Sequence, residues 1–164
     1  KLVKERSDLK LVVVGDHMEV SKSDKGAYQK EVRDVAARLQ DKCLMVGSIP
    51  PEKMHLYYSL ADLVVIPSQF KEPFCMVAIE AMGARKPVLV STGGGMVGFV
   101  KPEQTGYHLL EPVTADSIAQ DIKDVLARED LQRTAEHGQK QIFERYGWSG
   151  VTQRFEEVIH RWFY

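Results

Sequence analysis

Short, continuously apolar runs recur along this chain, separated by stretches with helical patterning: LKLVVVG (Leu9 to Gly15), KCLMVGS (Lys42 to Ser48), ADLVVIPS (Ala61 to Ser68), KPVLVST (Lys86 to Thr92) and GYHLLEP (Gly106 to Pro112). A strand wet on one face alternates apolar with polar residues. A run that stays apolar is covered on both faces, as in a parallel sheet between helical layers. The expected fold is therefore α/β, a Rossmann-like three-layer parallel sheet. The intervening helices are expected at Ser21 to Asp41, Glu52 to Ser59 and Pro73 to Ala84, with one turn near Met96 to Val100. Beyond the last strand the pattern turns all-helical, with Ala115 to Arg128, Asp130 to Tyr146 and Ser149 to Trp162. At 164 residues and 44% apolar content the chain can bury a sizeable core, and 1–164 reads as one domain with C-terminal helices at 115–164. The opening KLVKERSDLK reads as the last turns of a helix running into the first strand. Parallel sheets place another strand before such a helix, so the expectation is a piece of a longer protein lacking its first strand.

Several function classes are excluded early. The 22 Lys and Arg balance 23 Asp and Glu, leaving no field to attract nucleic acid or an anionic membrane. No apolar run approaches the ~18 residues of a membrane span. Cys43 and Cys75 lack CxxC spacing, so neither a disulfide framework nor a zinc knuckle is expected, and a reducing, cytoplasmic setting is the default. His17, His55, His108, His137 and His160 show no ligand spacing, so no metal site is expected. His17, beside Asp16 at a strand end, reads as a solvent-exposed loop residue. In the last helix Val151, Phe155, Val158, Ile159 and Trp162 form one stripe, a pattern that packs more often on its own domain than on a partner.

The chemistry concentrates at the strand ends. Gly15-Asp16-His17, Gly47-Ser48, Pro67-Ser68 and Ser91 to Gly95 are small or hydroxyl-bearing. In an open parallel sheet the carboxyl ends of the strands form the ligand crevice. Read singly, each of these is equally a turn residue. The stretch KEPFCMVAIE, Lys71 to Glu80, narrows the choice. Pro73 suits the first position of a helix, which puts Glu72 at the crevice mouth and the free N–H groups of Phe74, Cys75 and Met76 at the positive helix end, where they can bind a diphosphate. Glu80 follows among Val77, Ala78, Ile79, Ala81 and Met82, a segment read as core. A carboxylate there needs hydrogen-bond donors, for which ribose hydroxyls are suited, unless it lies on an exposed helix face.

The stretch PSQFKEPFCMVAIEAMGARKPVLVSTGGG, followed by GFVKPEQTGYHLLEP, resembles the signature of the retaining GT-B glycosyltransferases of family 4, with Glu72 and Glu80 matching the pair of glutamates in its Glu-x7-Glu phrase. The resemblance implies the C-terminal, donor-binding half of a GT-B fold, with the N-terminal acceptor domain outside this chain and the C-terminal helix crossing back to that domain, so that part of its apolar stripe is bare here. It implies that Glu72, the catalytic-site candidate, binds hydroxyls of the transferred sugar. Main-chain groups of Phe74, Cys75 and Met76 would hold sugar and phosphate, Gly15 would face the phosphates, and Glu80 would bind the ribose. Gly47, Ser48 and Ile49 would lie by the nucleobase. The implied activity is transfer from a nucleotide-diphosphate sugar, a UDP-sugar in the first instance, to an acceptor hydroxyl on a carbohydrate or lipid-linked partner. The resemblance further implies no metal or other cofactor, and membrane association, if any, through the missing domain.

Two departures stand out. Where the family has GGxxE, this chain has Gly94-Gly95-Met96-Val97-Gly98, so the acid is replaced by Gly98, and Cys75 stands where glycine is common. The family's basic pair precedes Lys1, and the isolated chain is expected to transfer no sugar. Other readings keep the fold. One is a GT-B-type sugar-nucleotide epimerase or phosphorylase, and another is a non-catalytic, glycosyltransferase-like structural protein of a bacterial surface or spore coat.

Overall fold

A computed structural model describes residues 2–15 and 25–163. Asp16 and His17, and the start of the helix expected from Ser21, lie outside the described residues. Where the sequence was read as one domain, the structure holds two compact units, 1–54 and 55–164.

In the first unit, helix α1 (Leu2–Glu5) leads into strand β1 (Leu11–Val14), and α2 (Lys25–Leu39) precedes β2 (Cys43–Gly47). The two strands pair in parallel from Leu11 opposite Cys43 to Val13 opposite Met45, after which the register shifts and Val14 faces Gly47. A parallel pair needs a crossover, which α2 supplies by packing on β2. A 3-10 turn at Pro51–Lys53 follows.

The second unit is built on three parallel strands in the order β3 (Val64–Ile66), β4 (Val88–Val90), β5 (Tyr107–His108). Central β4 is buried at every position, which accounts for its wholly apolar sequence. Helix α3 (Met54–Leu60) runs into β3, and α4 (Met76–Gly83) crosses from β3 to β4, packing on both and on α6 (Leu131–Tyr146). Helix α5 (Ala115–Leu126) starts with a capping box, in which Thr114 Oγ1 accepts from the Ser117 N–H and Ser117 Oγ accepts from the Thr114 N–H. Leu89, Tyr107, Leu109 and Val125 form a core cluster flanked by Val65, Ile118 and Ile122. The α/β architecture with parallel pairing matches the expectation.

One buried carboxylate ties the helical end of this unit to its sheet. Asp121 on α5, 5% exposed, accepts the Leu110 N–H just past β5 at 2.9 Å. Asp121→Ala strands that N–H without its acceptor, and the expected cost is about 1–3 kcal/mol. The melting midpoint should fall by roughly 2–10 °C for a chain of this size. An unchanged midpoint in a thermal scan would show that water replaces the carboxylate at no cost.

The last helix, α7 (Trp148–Phe163), buries none of its residues, and Trp148, Phe155, Val158 and Trp162 are exposed, the alternative that the resemblance implied for its stripe. The helix touches α6, yet its apolar stripe of Val151, Phe155, Val158 and Trp162 stays exposed. No described helix is long and apolar enough to cross a membrane.

Candidate functional site

The loop from β3 to α4 carries the site. It leaves the sheet at Pro67-Ser68 and returns to make a parallel bridge between Glu72 and Gly94, beyond the carboxyl ends of β3 and β4. The Gly95 N–H donates to the Glu72 carbonyl at 2.7 Å. Ser68 Oγ donates to Glu72 Oε1 at 3.2 Å, so the half-buried carboxylate is oriented from its own loop. The approach is so close that a Cβ on Gly94 would lie 2.6 Å from the Glu72 nitrogen, and one on Gly95 would lie 2.9 Å from the Pro73 carbonyl carbon. Gly94 is also left-handed at φ 91°. The glycine run thus serves here to let two loops pack backbone to backbone.

The start of α4 differs from expectation. The helix begins at Met76, not Pro73, and its N-cap is Cys75 in the left-handed region at φ 61°, ψ 80°. A residue with positive φ cannot continue a right-handed helix, so Pro73 and Phe74 remain in the loop. Of the three main-chain N–H groups expected in the first turn, only that of Met76 lies within the helix. Phe74 belongs to the loop, and Cys75 forms its boundary. Aromatic packing holds this loop from the other side: the Phe74 ring lies 5.8 Å from that of Phe99 and 5.4 Å from that of Tyr146, with Phe99 and Tyr146 5.8 Å apart.

Cys75 is buried, and burial pushes its thiol pKa up. The Val77 and Ala78 N–H groups pull it down, while the charges of Glu72 and Glu80 add to the rise. A thiol held protonated in this way is a poor nucleophile.

Glu80 is exposed rather than core, as are Val77 and Met76. The buried face of α4 is Ala78, Ala81 and Met82 instead. Glu80 is nevertheless held, since Tyr58 Oη donates to its Oε2 at 2.9 Å. Tyr58 is buried on α3, and burial first, then the Glu80 carboxylate, raise its pKa far above the ordinary tyrosine value, so the hydroxyl remains a donor. Sequence reasoning missed this residue. The available signal was a tyrosine on the inner face of a short helix, whose hydroxyl requires a partner once buried.

The departure from the family pattern is open space. Gly98 closes a 3-10 turn at Gly95–Gly98, is exposed, and a Cβ there would meet nothing within 4 Å. Nearby, Thr92 Oγ1 donates to Glu111 Oε1 at 3.0 Å.

The other candidates lie in the first unit. Gly15 and Gly47 sit together at the carboxyl ends of β1 and β2, with φ of 109° and 78°, and the Gly15 N–H donates to the Gly47 carbonyl at 2.8 Å. Ser48 is exposed and Ile49 half-buried in the extended segment that follows. Among the described residues, no group of three or more His, Cys, Asp or Glu side chains could hold a metal ion.

A family model described as glycosyl transferases group 1 matches residues 1–141. The lipopolysaccharide 1,2-N-acetylglucosaminetransferase of Salmonella typhimurium is 48% identical over 158 residues, covering 96% of this chain and 42% of that protein. Among solved structures, the sucrose-phosphate synthase of Thermosynechococcus elongatus superposes with a TM-score of 0.77 at 31% identity, over 94% of this chain and 38% of that one. HepE of Anabaena, solved with UDP, superposes with a TM-score of 0.81 at 22% identity, over 93% of this chain and 41% of that one, and shows a shared fold. The chain therefore spans about two-fifths of the length of the relatives it matches.

Proposed function

The chain belongs to the glycosyl transferases group 1 family, and from that premise we propose that it is the donor-binding domain of a retaining glycosyltransferase using a UDP-sugar. The observation that carries the reading is the paired support of two exposed or half-buried carboxylates. Ser68 and the Gly94-Gly95 backbone hold Glu72, and Tyr58 holds Glu80. In this reading Glu72 binds hydroxyls of the transferred sugar, the main chain at Phe74 to Met76 meets the diphosphate, and Glu80 accepts the ribose diol. The 48% identical relative is an N-acetylglucosaminetransferase acting on lipopolysaccharide. That makes UDP-N-acetylglucosamine the first donor to test and a saccharide hydroxyl the acceptor class.

The reaction needs no side-chain nucleophile. The acceptor oxygen bonds to the anomeric carbon on the face that the diphosphate leaves, the carbon–oxygen bond to phosphate breaks, and the acceptor proton passes to a phosphate oxygen. The protein contributes orientation and stabilisation of the leaving charge. Donor binding proceeds without a divalent ion, so a chelator should leave UDP affinity unchanged. The isolated chain binds donor but transfers no sugar, because the acceptor site lies in the remainder of a protein of the relatives' length.

Ligand-observed NMR with UDP, GDP and ADP tests the reading. UDP is expected to bind selectively, and Glu80→Ala is expected to weaken it by about tenfold or more, the magnitude of losing hydrogen bonds to a charged acceptor. Equal binding of the three nucleotides, or UDP affinity unchanged in Glu80→Ala, would sink it.

A further inference from the structure

The Tyr58–Glu80 contact gives the buried Tyr58 hydroxyl its partner, but Glu80 does not need it for folding, because Glu80 is exposed and exposed carboxylates are satisfied by water. Tyr58 is the opposite: 7% exposed, with its one hydroxyl proton directed at Glu80 Oε2. The helix that presents it is tied to the segment that leads into β4. The Lys86 ammonium, immediately before β4, donates to the Ser59 carbonyl at 2.8 Å, and the Ala61 N–H closes the end of α3 on the Tyr58 carbonyl at 3.0 Å. A long carboxylate side chain free in water samples many rotamers, and ordering it on binding costs conformational entropy. A buried donor mounted on an anchored helix removes that cost in advance.

We propose that Tyr58 is a positioning residue of the nucleotide site, holding the Glu80 carboxylate ready to accept the vicinal hydroxyls of a ribose. The proposal rests on the reading of Glu80 as the ribose ligand and adds what keeps it in place. Tyr58 touches no substrate itself. Its contribution appears only through Glu80, so it should affect recognition of the ribose hydroxyls and leave base and phosphate recognition alone.

The chain is titrated with UDP and with 2′-deoxy-UDP as wild type, Tyr58→Phe, Glu80→Ala and the double variant, with a melting midpoint recorded for each. The wild type is expected to prefer UDP. Tyr58→Phe keeps the packed ring, and UDP affinity should fall by about 3- to 10-fold while 2′-deoxy-UDP affinity changes much less, so the preference shrinks. In the Glu80→Ala background, Tyr58→Phe should cause no further loss, because the two residues act as one unit. Equal weakening of both nucleotides, the result a merely structural tyrosine gives, overturns the proposal, as does a preference retained in Tyr58→Phe. A wild type that binds neither nucleotide, or does not distinguish them, overturns the underlying ribose reading, and the proposal falls with it.

Discussion

Glu72→Gln is expected to lower sugar transfer about 10²- to 10³-fold in a protein of the relatives' length that contains this chain, while UDP affinity changes less than threefold. The magnitude is that of removing one preorganised group directed at a reacting centre. Glutamine keeps the shape of the side chain and one oxygen, so it can still accept from Ser68 Oγ at the distance seen for Glu72, 3.2 Å. What it loses is the charge that, in the proposed role, binds the hydroxyls of the transferred sugar more tightly as positive character develops at the anomeric carbon. An interaction that strengthens in the transition state appears in kcat, not in ground-state affinity. Radiolabelled transfer from UDP-N-acetylglucosamine, with UDP titrated in parallel, separates the two. A loss of UDP affinity matching the loss of transfer would mean that Glu72 supports the loop and not the sugar. Undiminished transfer would remove it from the active centre.

The second large effect is expected at Gly94. Its backbone is left-handed, and a Cβ would press on the Glu72 main chain, 2.6 Å from its nitrogen. Overpacking costs about 1–3 kcal/mol, and a left-handed alanine adds a strain of order 1–3 kcal/mol. Gly94→Ala should therefore lower the melting midpoint by roughly 5–15 °C, and UDP binding should weaken because the displaced backbone is the one that carries Glu72 and Phe74. Gly98→Ala provides the internal control. A Cβ there meets nothing within 4 Å, so its midpoint should stay within about 2 °C of wild type. Matching midpoints for Gly94→Ala and wild type in a thermal scan would contradict the tight loop-on-loop packing.

What the amino-acid sequence determined by itself was the α/β class with parallel strands and the spacing of the candidate site residues. Continuous apolar runs such as Val88–Val90 can be stable only when covered on both faces, so the parallel sheet and its helical layers were legible before any coordinates. The eight-residue interval from Glu72 to Glu80 was equally legible, and so was the glycine run that follows β4. Tertiary structure alone decided how these parts are held. The α4 start moved from Pro73 to Met76 because the Glu72 loop is clamped by Gly94 and Gly95, more than twenty residues later, and that clamp leaves Cys75 left-handed. Glu80 turned out exposed, and its partner Tyr58 lies 22 residues earlier, on another helix. The stripe on α7 was visible in its periodicity, whereas its lack of cover followed only from the resemblance and not from the residues themselves. The division has a physical reason. Periodicity and capping depend on neighbours within a few residues, which a sequence displays directly. A backbone clamp or a buried donor depends on two distant segments meeting at hydrogen-bond distance, and that meeting is fixed only when the whole sheet and its helices close around them.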